Sequence, residues 1–155
     1  MLFPSLRLGY LVVPADLVDA FVAARALADR HPPSIEQAAL TDFIAEGHFA
    51  RHIRRTRALY AERQAALLAA AEHELAGLIE LHPAEAGMHL VGWLPHAISD
   101  TDASNRAARV GIDAPALSAY ALQSLERSGL LLGYAAVDQA EIRQAVQRLG
   151  MALRS

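Results

Sequence analysis

The sequence predicts an α/β fold whose C-terminal part is α+β, and three observations carry that prediction. Residues 6–13, LRLGYLVV, are an apolar run rich in Leu and Val and closed by Pro14, as expected of a mostly buried strand. Residues 48–76 contain neither Gly nor Pro and are dominated by Ala, Leu, Arg, Glu and Gln, which predicts one long helix of roughly 40 Å. After it, short apolar segments separated by turn residues lead to a final amphipathic stretch.

Asp16 opens a predicted helix over 16–29, where Leu17, Val18, Phe21, Ala24 and Ala28 recur at helical spacing and His31-Pro32-Pro33 stops it. Ser34 is the expected N-cap of a second helix over 35–46, ended by Gly47. In the long helix the first half is basic, and Tyr60, Leu67, Leu68, Ala71 and Leu75 form an apolar stripe along the second. Gly77 suits its C-terminal cap. Segments 78–81 and 88–95 read as two antiparallel strands around Pro83 and Gly87. Ser99 or Asp100 should cap a helix ending near Gly111, followed by short strands at 112–115 and 130–136. Asp138 and Glu141 form a capping box for the last helix, where Ile142, Ala145, Val146, Leu149 and Leu153 share one face.

Composition excludes several chemistries. The chain has 155 residues, 54% of them hydrophobic, with a net charge of −3, within the range of ordinary globular domains. No apolar run reaches the length of a membrane span, and the N-terminus lacks the order of an export signal, so cytoplasmic location without membrane contact is expected. The absence of Cys removes disulfides, thiolate nucleophiles and cysteine metal sites. All 14 Lys+Arg residues are arginines. Schiff-base catalysis needs a neutral amine, and a guanidinium stays protonated, so only the Met1 amine remains for it.

Local motifs are weak. His48 and His52 stand four apart on the long helix, as in helical zinc sites, but Phe49 occupies the place of the glutamate in HExxH, so no metal site is assigned. Arg51, Arg54, Arg55 and Arg57 form a basic cluster without a DNA-reading motif, so a solvated face is expected and direct DNA binding is not. His89 and Trp93 alternate along a strand, which predicts one packed face and one exposed. No nucleophile elbow or phosphate-cradling glycine loop occurs, and no catalytic residue is assigned.

Two stretches, LFPSLRLGYLVVP at 2–14 and EQAALTDFIAEGHFARHIRRTRALYAERQAALLAA at 36–70, resemble the aminotransferase-like domain of MocR-type (GntR-family) transcriptional regulators. AGMHLVGWLP at 86–95 resembles the strand near the active site of class I aminotransferases, and GLLLGYA at 129–135 their final strand. The resemblance covers essentially the whole chain but only about the last third of such a regulator. It implies the C-terminal portion of a fold-type I transferase dependent on pyridoxal phosphate. Residues 1–50 would be a remnant of the large cofactor domain and 51–155 the small C-terminal domain, with the long helix between them.

In that family the Schiff-base lysine lies in a Ser-Lys-Thr-Leu-Phe-Pro-Gly-Leu-Arg pattern. Met1 matches the threonine, which puts the lysine one residue before the chain and gives Arg7 as the arginine for the cofactor phosphate. The arginine for a substrate carboxylate falls in the final strand, where this sequence has Leu131. The resemblance therefore implies a partial, truncated effector-sensing module of a regulator, not an enzyme by itself and not holding cofactor covalently. Its effector would be an amino acid or pyridoxal phosphate, and its partner a second copy or a chain of the same family. The alternatives are part of a class I aminotransferase and a free-standing dimerisation module.

Overall fold

The computed structural model describes residues 7–30 and 33–155, which fall into two compact units, 1–54 and 55–155. In the first, one turn of 3-10 helix at Ala15–Leu17 leads into α1 (Val18–Ala28), and α2 follows over Ser34–Ala45. Neither helix buries a residue. Helix α3 (His48–Glu74) begins in this unit and continues into the second.

The predicted strand at 6–13 does not form over the described residues 7–13, which take neither helix nor strand. A strand exists only with a hydrogen-bonded neighbour, and no strand among the described residues lies beside this run. Leu6 lies outside the described residues, as do His31 and Pro32 of the predicted stop. Ser34 is the first helical residue of α2 and its side chain makes no capping hydrogen bond, because Pro33 takes the N-cap position.

The second unit is a three-stranded antiparallel sheet, order β1-β2-β3, with β1 at Glu80–Leu81, β2 at His89–Trp93 and β3 at Gly129–Gly133. Leu90 pairs with Leu132 and Gly92 with Leu130 on one face, while His89, Val91 and Trp93 pair with Gly133, Leu131 and Gly129 on the other. Helices α3, α4 (Asp100–Arg109) and α5 (Gln139–Arg154) supply the core with Leu90, Leu94, Leu130 and Leu132. From α3 come Leu67, Ala71 and Leu75, and from α5 Ile142, Val146, Leu149 and Leu153, all buried. Each buried leucine contributes about 1.5–3 kcal/mol relative to exposure. The predicted strand at 112–115 is instead a connection, with a single bridge from Ala116 to Leu130, because too few of its residues reach β3 to form a ladder.

Local signals explain the helix ends. The Asp138 carboxylate accepts from the amides of Ala140 and Glu141, and the Glu141 carboxylate accepts from the Asp138 amide, so the expected capping box closes. Ser99 precedes α4 without a side-chain cap. Buried Asp100 does the binding there, accepting from the Ser118 amide and hydroxyl at 2.9 Å each. Burial alone would raise the Asp100 carboxyl, but hydrogen bonds from Ser118, Gly129 and Thr101 outweigh it and hold the group below its ordinary value. The C-terminal carbonyls of three helices receive guanidinium groups from elsewhere. Arg154 donates to Glu74 O at 2.7 Å, Arg148 to Val110 O at 3.2 Å and Arg106 to Leu153 O at 3.4 Å.

Two glycines set the close approaches. A Cβ at residue 92 would lie 2.7 Å from Ile79 Cγ2, and one at residue 150 would lie 2.6 Å from the Glu74 carbonyl oxygen. Gly150→Ala should therefore lower stability by about 1–3 kcal/mol, whereas Gly9→Ala, which meets nothing within 4 Å, should change it by less than about 0.5 kcal/mol in urea unfolding. Asp100→Asn should cost about 1.5–3 kcal/mol at neutral pH. Since folding favours the ionised Asp100, its contribution is present above the ordinary carboxylate range and lost as pH falls through the lowered folded value. Stability curves of the two proteins should then converge in acid, and parallel curves would contradict this account.

Candidate functional site

Three constellations could act on a ligand. The first lies within the N-terminal unit, where an open groove of about 800 Å³ is lined by Arg7, Phe21, Val22 and Arg25 among others. Arg25 is loosely paired with Asp29 at 3.9 Å. Arg7 is exposed, takes a left-handed φ of 51°, and pairs with no group among the described residues. A planar guanidinium beside an apolar wall suits the phosphate of a ring-bearing ligand. No residue of the chain offers a side-chain amine to this groove.

The second is the sheet face turned away from the core. His89 is exposed there, and Val91, Trp93 and Leu131 are half-buried. The alternation expected for His89 and Trp93 is therefore present, with both side chains on the less buried face. Arg127 is committed on this face. It donates to Glu80 Oε2 at 2.6 Å and to Leu94 O at 3.2 Å, and its guanidinium lies 5.7 Å from the centre of the Trp93 ring. His82 meets the other Glu80 oxygen at 2.9 Å. The hydrogen bond from Arg127, then that from His82, hold the Glu80 carboxyl below its usual range. Leu131 faces Val91, so a carboxylate arriving at this pair would meet hydrocarbon.

The third was not singled out from the sequence. Gln64 donates to Ala84 O at 3.0 Å while its oxygen accepts from the Ala84 amide at 3.3 Å. Gln64 also donates to the Tyr134 hydroxyl at 3.1 Å, which in turn donates to Gly87 O at 2.9 Å. Tyr60 packs edge-on to Tyr134, with ring centres 6.4 Å apart, and Arg63 donates to the carbonyl of Ala135. Loop 84–87 is thus tied at Ala84 to Gln64 of α3 and at Gly87 to Tyr134. Gln64 and Tyr134 are 70 positions apart, and no local spacing announces their meeting.

His48 bonds Glu46 Oε2 at 3.1 Å and stacks near Phe43, and among the described residues no three His, Cys, Asp or Glu side chains are placed to hold an ion. Arg51, Arg54, Arg55 and Arg57 are all exposed on α3, and no helix among the described residues is long and apolar enough to cross a membrane.

Comparison with known proteins decides the family. No family model matches the chain. It is 39% identical to the probable rhizopine catabolism regulatory protein MocR of Rhizobium meliloti over 96% of its own length, covering 30% of that protein. It is 31% identical to the HTH-type transcriptional regulator YhdI of Bacillus subtilis over 96% of its length, covering 32% of that protein. Among solved structures, LysN, an α-aminoadipate aminotransferase of Thermus thermophilus complexed with N-(5'-phosphopyridoxyl)-L-leucine, superposes with a TM-score of 0.85 at 27% identity. That match covers 97% of this chain and 39% of LysN. The fold and sequence are those of the C-terminal part of the aminotransferase-like domain of MocR-type regulators. The chain spans about a third of the length of the curated MocR-type relatives it matches.

In this MocR-type chain the Tyr134 hydroxyl should hold loop 84–87 in place. Tyr134→Phe leaves the Gly87 carbonyl without its donor, so we expect a loss of about 1 kcal/mol and faster amide exchange at Ala84, whose N–H donates to Gln64, read by hydrogen exchange. Unchanged exchange in that loop would show that Gln64 alone secures it.

Proposed function

We propose that this chain is part of the effector-sensing module of a pyridoxal-phosphate-responsive transcriptional regulator, in which Arg7 contacts the cofactor phosphate without any side chain holding the cofactor covalently. The observation that carries this reading is Arg7, unpaired among the described residues and lining an open groove beside Phe21 and Val22, in a chain with no lysine. Only the phosphate end of the cofactor fits what these residues offer. Pyridoxal phosphate, when bound, supplies an aldehyde that takes up an amine and a ring that withdraws electrons from it. The division of labour places residues 1–50 with the cofactor-binding part and residues 51–155 with the small domain.

The MocR-type relatives favour the regulator over the enzyme, and Leu131 supports the same choice. It stands where the resemblance puts a carboxylate-binding arginine, and the guanidinium of Arg127, which lies over Trp93 on the same sheet face, is already engaged by Glu80. The likeness to LysN favours, as a second reading, part of a class I aminotransferase. We further propose that the chain acts in the cytoplasm, does not contact DNA itself, and associates with a second copy or a chain of the same family. Tyr10, Leu11 and Val12, 89%, 75% and 89% exposed, support that association, because apolar side chains with free backbone groups favour pairing with another chain.

The test is a spectral titration of the purified chain with pyridoxal phosphate, followed by borohydride reduction and mass mapping. Saturable binding that leaves no reduced adduct and weakens about tenfold or more in Arg7→Ala is expected, a factor equivalent to about 1.4 kcal/mol. A stoichiometric covalent adduct, with amino-group transfer from an added amino acid, would establish the enzyme reading instead.

A further inference from the structure

The groove between α3 and loop 84–87 has a volume of about 620 Å³ and is built within the C-terminal unit alone. Along α3, Arg57, Ala61, Gln64, Ala65 and Leu68 fall at the spacing of one helical face and line one wall. Ala61 and Ala65 leave the space open where longer side chains would fill it. Loop 84–87 forms the opposite wall and is held by the two-point Gln64–Ala84 contact and by the Tyr134 hydroxyl on Gly87 O. Glu85 lies between those two fixed points, so its carboxylate is carried by an anchored segment.

The polar inventory of this groove is uneven. Gln64 and Tyr134 spend their hydrogen bonds on the loop. Arg57 and Glu85 spend none among the described residues and do not pair with each other. The Tyr60 hydroxyl donates to the Met88 thioether at 4.0 Å and keeps its acceptor capacity. A groove with a free cation on one wall, a free carboxylate on the other and hydrocarbon from Ala61, Ala65 and Leu68 between them is complementary to a small zwitterion. We propose that this groove binds a free α-amino acid, its carboxylate on Arg57, its ammonium on Glu85 and its side chain along Ala65 and Leu68. The inference rests on this groove alone and does not depend on Arg7 or on pyridoxal phosphate.

The experiment titrates the isotopically labelled full chain with L-valine, and separately with N-acetyl-L-valine and L-valinamide, which lack the free ammonium and the carboxylate, while amide resonances are followed by NMR. Saturable shifts confined to α3 from residue 57 to residue 68 and to loop 84–87 are expected for L-valine. Each blocked compound, and each of Arg57→Ala and Glu85→Ala, should weaken binding about tenfold, as loss of one charge-assisted contact at an exposed site requires. Both side chains are exposed and outside the core, so the variants retain the fold, checked by their unshifted core resonances. Absence of saturable shifts, equal binding of the blocked compounds, or indifference to both substitutions would overturn the proposal. The result is separable from the cofactor titration, because Arg7→Ala should leave L-valine binding unchanged.

Discussion

Helix α5 can lie against the end of α3 because residue 150 has no side chain. The Glu74 carbonyl approaches Gly150 so closely that a single methyl group would collide with it, and the same carbonyl accepts from Arg154 one turn further along α5. That crossing brings Ile142, Val146, Leu149 and Leu153 onto the apolar stripe of α3 and the inner face of the sheet. Gly92 makes the corresponding concession on the sheet, admitting Ile79 beside Leu132. With these two contacts in place, the interior closes over leucines and alanines with almost no polar cost. The buried acid, Asp100, is satisfied by Ser118.

Arginine carries the polar architecture that lysine would share in other chains. Arg106, Arg148 and Arg154 close helix C-termini, and Arg63 and Arg127 tie strand ends and their flanking carbonyls. A planar fork can serve a carbonyl and a carboxylate together, as Arg127 does with Leu94 and Glu80. The arginines thus divide into those consumed by structure and those left to a ligand, Arg7 and Arg57 being the two to which functions are proposed. An all-arginine composition therefore closes off covalent amine chemistry by side chains while retaining every means of binding anions.

Much of the second unit was legible. The long helix, the antiparallel pair β1-β2, the last strand and the Asp138–Glu141 box follow from local rules, because helix periodicity, turn residues and caps act over a few positions. The resemblance of residues 36–70 to MocR-type regulators agrees with the relatives found. The misplaced elements share one cause. Residues 7–13 have the composition of a strand and residues 112–115 that of a shorter one, but pairing depends on a neighbour distant in sequence, and composition carries no information about it. Ser34 illustrates the same limit at smaller scale, since Pro33 beside it took the capping position.

Of the candidate ligand groups, Arg7 came from the sequence through resemblance, while the groove bounded by Arg57 and Glu85 came only from tertiary structure. The sequence alone determined what chemistry is possible: no thiol, no side-chain amine, helices of known length and a capped final helix, since each depends on residue identity or near neighbours. The tertiary structure decided which polar groups are spent and which remain available. Gln64 meets Tyr134 and Arg127 meets Glu80 across 70 and 47 positions, and such meetings are fixed by the packing of helix on sheet, which no local pattern encodes.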